Sequence, residues 1–226
     1  MPPVGKLGFR ILSAPPRLTA AVIAAFRELP ATAVADAMGR FNFMDPGIRP
    51  RTGLRLYGPA VTVNCRPGDH LMVHKALQIA EPGDIIVVCT GGNITSAVFG
   101  DLMCHAAVVK GIGGIVVDGA IRDTEGLAGQ GFPAFSRSVC PGSCDKDGPG
   151  EINVPISCGG TVVAPGDIIV GDADGVAVVP RDHAVEVLAL VTQFTERENA
   201  RIAEIHGGML FTTEIDETLR KRGVIE

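Results

Sequence analysis

Tryptophan is absent from the 226-residue chain, tyrosine occurs once, and aromatic residues make up only 4% of it. A surface built on aromatic stacking therefore has no material. Positive charge is not in excess either: the formal net charge is -5 and the sequence pI about 5.5, so no broad cationic field is available to hold a phosphate backbone, which argues against nucleic acid as a partner. No apolar run reaches the roughly 18 to 20 residues that span a bilayer, and MPPVGKLGFRILSAPPRL lacks an apolar core of signal-peptide length. These absences set the expectation of a cytoplasmic protein with no membrane partner. Cysteines are sparse for this length, at Cys65, Cys89, Cys104, Cys140, Cys144 and Cys158. The spacing in CPGSC lacks the second Cys/His pair of a zinc site, so a turn with two reduced thiols is the expectation.

What is abundant is hydrophobic residues, at 46%, together with 29 Gly and 16 Pro. That combination describes a substantial core made of many short elements joined by tight turns, and argues against a helical bundle. Helical spacing marks residues 17–28 and 32–40, the latter closed by Gly39. A strand is expected at Ala60 to Cys65 and a helix over 70–80, ended by EPGD. DIIVVC (84–89), GDLMCHAAVVKG (100–111) and GIVVDG (114–119) then read as strand, helix and strand, a βαβ unit with parallel neighbours. Short β segments follow, then a long helix from about Asp182 and a small one from Glu214 to Arg222. EPGDIIVVCTGG and APGDIIVGDADG repeat one pattern, a Pro-Gly-Asp turn feeding an apolar strand. No linker composition divides the chain, so one α/β domain spans 1–226.

The stretch GDLMCHAAVVKGIGGIVVDGAIRD carries Gly100-Asp101 at one edge and Arg122-Asp123 at the other. In a βαβ unit the start of the crossover helix and the end of the following strand lie on the same side of the sheet, so the charged ends should meet. Unpaired amides of Gly100, Asp101, Leu102 and Met103 would then offer a site for a carboxylate. Arg122 adds a permanent cation with a bidentate donor fork, and Asp123 a hard oxygen ligand suited to Mg²⁺ or Mn²⁺. Such a set fits a 2-oxo acid. Asp118 is a candidate to orient Arg122, or else caps an Asp-Gly turn.

GGNITSAVFGDLMCHAAVVKGIGGIVVDGAIRDTEGL resembles the signature region of the family that holds the class II pyruvate aldolases for 4-hydroxy-4-methyl-2-oxoglutarate and 4-carboxy-4-hydroxy-2-oxoadipate, and the regulator of ribonuclease activity A. Weaker similarity runs from TAVADAMG through YGPAVTV, MVHKAL and PGDIIVV to PGDIIVGDADGVAVVP. The aldolase branch is marked by an Asp, twenty residues, then Arg-Asp, and here Asp101 is followed at that spacing by Arg122 and Asp123. The regulator branch has Gly in the first place and an acid three residues after the final Asp, a place held here by Gly126, with the acid at Glu125.

The resemblance implies that Asp123 binds the divalent metal, that Arg122 and the amides of Leu102 and Met103 hold a pyruvyl unit, and that Asp101 positions a metal-bound water. It assigns a further acid, best matched by Glu198, to the site of a neighbouring subunit. It implies a three-layer β/β/α swivelling-domain-like fold, with a helical tail (182–226) that contacts a neighbour in a homotrimer or homohexamer. The activity it implies is cleavage of a 4-hydroxy-2-oxo acid to pyruvate, with oxaloacetate decarboxylation as a side activity and aromatic-acid catabolism as the usual setting. The alternative is a non-enzymatic protein that binds and inhibits a ribonuclease, against which Asp101 and the displaced Glu125 argue. The tail GGMLFTTEIDETLRKRGV departs from the aromatic, leucine-rich ending of the aldolases. His70 and His74 lack the third ligand of a metal site, and GIGG precedes a strand instead of following one, which disfavours a dinucleotide. No glycine-rich nucleoside loop supports methyl transfer.

Overall fold

The computed structural model describes residues 4–226. In chain order its elements are β1 (Val4–Lys6), β2 (Phe9–Ile11), α1 (Ala20–Ala25), α2 (Ala31–Ala37), β3 (Arg49–Pro50), β4 (Leu56–Cys65), α3 (Leu71–Ile79), β5 (Ile85–Cys89), α4 (Asp101–Lys110), β6 (Gly114–Ile121), α5 (Thr124–Gly129), β7 (Ala134–Val139), β8 (Gly150–Ile152), β9 (Ile156–Cys158), β10 (Thr161–Val163), β11 (Ile168–Asp172), β12 (Gly175–Val179), α6 (Ala184–His206) and α7 (Glu214–Lys221). Local chemistry sets several of these bounds. Gly111 in the left-handed region ends α4, and the two Pro-Gly-Asp turns are copies of each other, with Gly83 and Gly166 both at φ 83°. In each turn the aspartate accepts from the amide three residues before it, Asp84 from Glu81 at 2.7 Å and Asp167 from Ala164 at 2.8 Å. The repeated sequence is therefore a repeated turn.

Strands β4, β5, β6 and β7 lie side by side and parallel, and β5 and β6 are covered on both faces, as their apolar runs Ile85–Val88 and Ile115–Val117 require. Antiparallel β8 and β11 flank β4, and β3 flanks β7. On one face α3, α4 and α5 bury Val73, Ala76, Cys104, Ala107 and Leu127 against Val63, Ile86, Val88, Ile115 and Val117. On the other, Cys158, Val163, Ile169 and Val178 of the β9–β10 and β11–β12 hairpins meet Ile85, Val87, Val116 and Phe135. This is the expected β/β/α order. One addition was not legible: the outer face of β11 and β12 is itself apolar, and α1, α2 and the first turns of α6 cover Ile168, Val170, Ala177 and Val179 there.

The long C-terminal helix thus has two parts. Ala184, Val187 and Val191 belong to the core of this chain, whereas Ile202 and Ile205 farther along α6, and Met209, Leu210, Phe211 and Ile215 beyond its end, stay exposed. Among the described residues no helix is long and apolar enough to cross a membrane.

Candidate active site

The residues between β5 and α4 are laid along the end of β6. Val98 N donates to Ala120 O at 3.0 Å, and Arg122 N to Phe99 O at 2.9 Å. These bonds bring Gly100 against the Arg122-Asp123 pair, as the βαβ reading required. A Cβ on Gly100 would lie 2.7 Å from Asp123 Oδ2 and 2.9 Å from Arg122 Cγ, so only a residue without a side chain lets the two chain segments approach this closely. The amide of Asp101 donates to Asp123 Oδ2 at 3.0 Å, and Arg122 Nε stands 3.4 Å from the same oxygen. Asp123 itself sits at φ 58°, ψ 36°, a left-handed conformation that short polar side chains tolerate best. It holds that conformation at the junction of β6 and α5.

The first i to i−4 bond of α4 runs from Cys104 N to Gly100 O at 3.0 Å, which leaves the amides of Leu102 and Met103 in the unpaired first turn. Leu102 is 86% exposed and Met103 is buried. Beside them a cleft of about 320 Å³ opens between α3 and α4, lined by His74, Leu77, Gln78, Ala106 and Lys110 as well as by these two residues. An anion seated on the two amides would have Arg122 within the same corner, whereas the cleft lies on the α3 side and its lining includes neither Arg122 nor Asp123.

Asp101 is held from below. Gln130 Nε2 donates to its Oδ1 at 2.6 Å, His105 Nε2 lies 3.6 Å from its Oδ2, and a Cβ on Gly126 would come within 2.7 Å of Oδ1. Sequence reading assigned no role to Gln130 and saw Gly126 only as a missing acid. Their signal was nonetheless present: counted from Asp123, they fall at the third and seventh following positions, which share one face of a helix.

Asp118 does neither of the things expected of it. Its carboxylate points to the other face of the sheet, where it pairs with Arg137 Nε at 2.6 Å and accepts from Gly159 N at 2.8 Å. Glu198 is exposed on α6, whose neighbours are α1 and α2 rather than α4, so it is not part of the site within one chain. His70 and His74 form an edge-on ring pair 4.7 Å apart, with both nitrogens of His70 and Nε2 of His74 buried and the backbone of Val98 facing His70. Burial lowers the pKa of both.

The fit of a divalent cation can be judged from the donors. Asp123 is partly exposed; its Oδ2 is occupied by the Asp101 amide, while Oδ1 takes no hydrogen bond among the described residues. No group of three or more His, Cys, Asp or Glu side chains converges among those residues. One open carboxylate oxygen suits a hard cation that keeps most of its water, as Mg²⁺ does, and not a zinc-type cage. Asp123, with water or substrate oxygens, is the residue of this chain that would hold it.

Residues 31–178 match the RraA-like family, described as Aldolase/RraA. A protein of Halalkalibacterium halodurans, provisionally named 4-hydroxy-4-methyl-2-oxoglutarate aldolase, is 42% identical over 180 residues, covering 79% of this chain and 86% of that one. Among solved structures, an uncharacterised protein from Pseudomonas syringae pv. tomato superposes with TM-score 0.78 at 29% identity, over 92% of this chain and 99% of that one. The RNA-processing inhibitor RraA from Thermus thermophilis superposes with TM-score 0.63 at 29% identity, over 68% and 93% of the two chains.

Proposed function

The chain belongs to the RraA-like family, and from that premise we propose that it is a divalent-metal-dependent aldolase that cleaves a 4-hydroxy-2-oxo acid to pyruvate and a second oxo acid. The observation that carries this reading is the hydrogen bond from the Asp101 amide to Asp123 Oδ2 at 3.0 Å, with Arg122 at the same oxygen. It gathers into one corner the cation, the carboxylates and the helix amides that the reaction requires. The provisional name of the Halalkalibacterium relative points the same way. The substrates that fit are 4-hydroxy-4-methyl-2-oxoglutarate and 4-carboxy-4-hydroxy-2-oxoadipate.

The substrate carboxylate sits on the amides of Leu102 and Met103, where the helix dipole and Arg122 both favour it. Asp123 would hold a divalent cation, Mg²⁺ or Mn²⁺, which when bound would supply Lewis-acid polarisation of the 2-oxo group. Arg122 faces the oxygen of that group and stabilises the negative charge that develops there. Asp101 serves the proton transfers: the C4 hydroxyl loses its proton, the C3–C4 bond breaks, its electrons pass into the enolate of pyruvate, and C3 is then protonated. C4 leaves as the carbonyl of the second product. Loss of CO₂ from oxaloacetate gives the same enolate, so decarboxylation is an expected side activity.

The exposed apolar side chains beyond Val191 support assembly into a homotrimer or homohexamer in which the tail covers a neighbour and Glu198 approaches the neighbour's site. A second reading, inhibition of a ribonuclease by binding, draws on the likeness to the Thermus inhibitor. The deciding experiment measures pyruvate release from both hydroxy-oxo acids and oxaloacetate, with Mg²⁺, with EDTA, and with Asp123→Asn. Release that needs both metal and Asp123 supports the aldolase. No release by folded, metal-supplied protein that does slow a ribonuclease would support the inhibitor instead.

A further inference from the structure

Gln130 follows α5 directly, and its side chain turns back under α4 to reach Asp101 Oδ1 at 2.6 Å through Nε2. The other amide atom, Oε1, is buried and has no hydrogen-bond partner among the described residues. A buried acceptor without a donor is a net cost to folding, and an apolar side chain of the same length would avoid it. That cost offsets what the bond to Asp101 contributes to stability, so the net gain in stability from an amide here is small. The amide does, however, decide how Asp101 is turned. Gly126 leaves the space into which Oδ1 fits, Gln130 fixes Oδ1 by its donor, and Oδ2 is left toward His105 and the solvent side of α4. Without that donor the carboxylate of Asp101, which is partly exposed, is free to rotate about its own χ angles.

We propose that Gln130 is a positioning residue, whose amide locks the Asp101 carboxylate in the orientation from which it serves the proton transfers of the reaction. The role rests on the aldolase reading of Asp101 above. The test uses Gln130→Met, which keeps the length without the donor, and Gln130→Glu, which keeps the shape with an acceptor in its place. Both should lower kcat for pyruvate release from 4-hydroxy-4-methyl-2-oxoglutarate by about 10- to 100-fold, the usual loss when a supporting hydrogen bond is removed, and leave KM where it was. Thermal melting of Gln130→Met should stay close to that of the wild type, because the lost bond to Asp101 and the removal of an unsatisfied acceptor offset each other. Wild-type kcat in both variants would overturn the role, and so would a loss of kcat that tracks a fall in melting temperature. Absence of any pyruvate release by the wild type overturns the parent reading and this role together; release that is indifferent to residue 130 removes this role alone.

Discussion

Asp101 and Asp123 meet through backbone and side chain rather than through their two charges: the amide of the first donates to Oδ2 of the second at 3.0 Å. The Asp101 carboxylate meanwhile turns away to Gln130. One residue therefore contributes a backbone donor to Asp123 and a side-chain acceptor to Gln130. Substitutions at 101 and 123 should accordingly fail differently.

At Asp123 the left-handed backbone makes the choice of variant matter. Asn adopts that conformation readily and Ala at a cost of about 1 kcal/mol. Asp123→Asn should melt like the wild type and lose pyruvate release by at least about 100-fold, the scale of removing one charge-stabilising group. Asp123→Ala should lose the same activity and some stability too. Equal activity of Asp123→Asn and wild type in a pyruvate assay would remove Asp123 from the metal role.

Gly100→Ala should separate fold from function. The atoms a methyl group would meet are Asp123 Oδ2 and the middle of the Arg122 side chain, Cγ and Nε; all are side-chain atoms that can shift without the backbone, so the circular dichroism spectrum should be unchanged. Displacement of both groups by even a fraction of an ångström should reduce kcat/KM by about 10- to 100-fold. Retained kcat/KM would mean that the close approach is incidental.

Gly126→Ala applies the same logic to Asp101, whose Oδ1 lies 2.7 Å from the position of the new Cβ. The expected result is a folded protein with lowered kcat. Combined with Gln130→Met, the effect should be less than the product of the single losses, because both changes act on one carboxylate. Fully multiplicative losses would argue that the two residues work independently.

The buried pair His70 and His74 predicts how stability follows pH. In the unfolded chain each imidazole titrates near pH 6.5, whereas burial lowers the pKa of both in the fold, with each other's proximity adding to the effect at His74. Below about pH 6.5 the unfolded state then binds protons that the native state refuses, so stability falls as pH falls, by at most about 1.4 kcal/mol per pH unit for each histidine. Thermal melts at pH 7.5 and 5.5 should show this drop, and a His70→Leu, His74→Leu variant should show a smaller one. The same drop in both proteins would place its origin elsewhere.

Sequence reading reached the βαβ unit, the meeting of its two charged ends and the paired Pro-Gly-Asp turns because each depends on local signals: periodicity, a glycine, a helix start. It placed the strand of β4 four residues short, since Leu56 to Pro59 are interrupted by Gly58 and Pro59 and gain their pairing from distant β11. The helices outside β11 and β12 were visible as helices, but not where they pack. Asp118 was misassigned for the same reason: its partners Arg137 and Gly159 come from other parts of the chain. Gln130 shares a helical spacing with Asp123 and Gly126, a signal that gains meaning only when α5 is seen to start directly after Asp123.

Between Val117 and Ala120 the pairing of β6 with β7 slips, so that Asp118 and Gly119 together stand opposite Arg137 alone. Because side chains alternate across a strand, one extra residue changes the phase of everything downstream relative to the neighbouring strand. The interval of twenty residues that separates Asp101 from Arg122 therefore includes a deliberate offset, and the count is a geometric setting. Deleting the single residue Gly119 would keep Asp101, Arg122 and Asp123 in the sequence while aiming Arg122 toward the opposite face of the sheet.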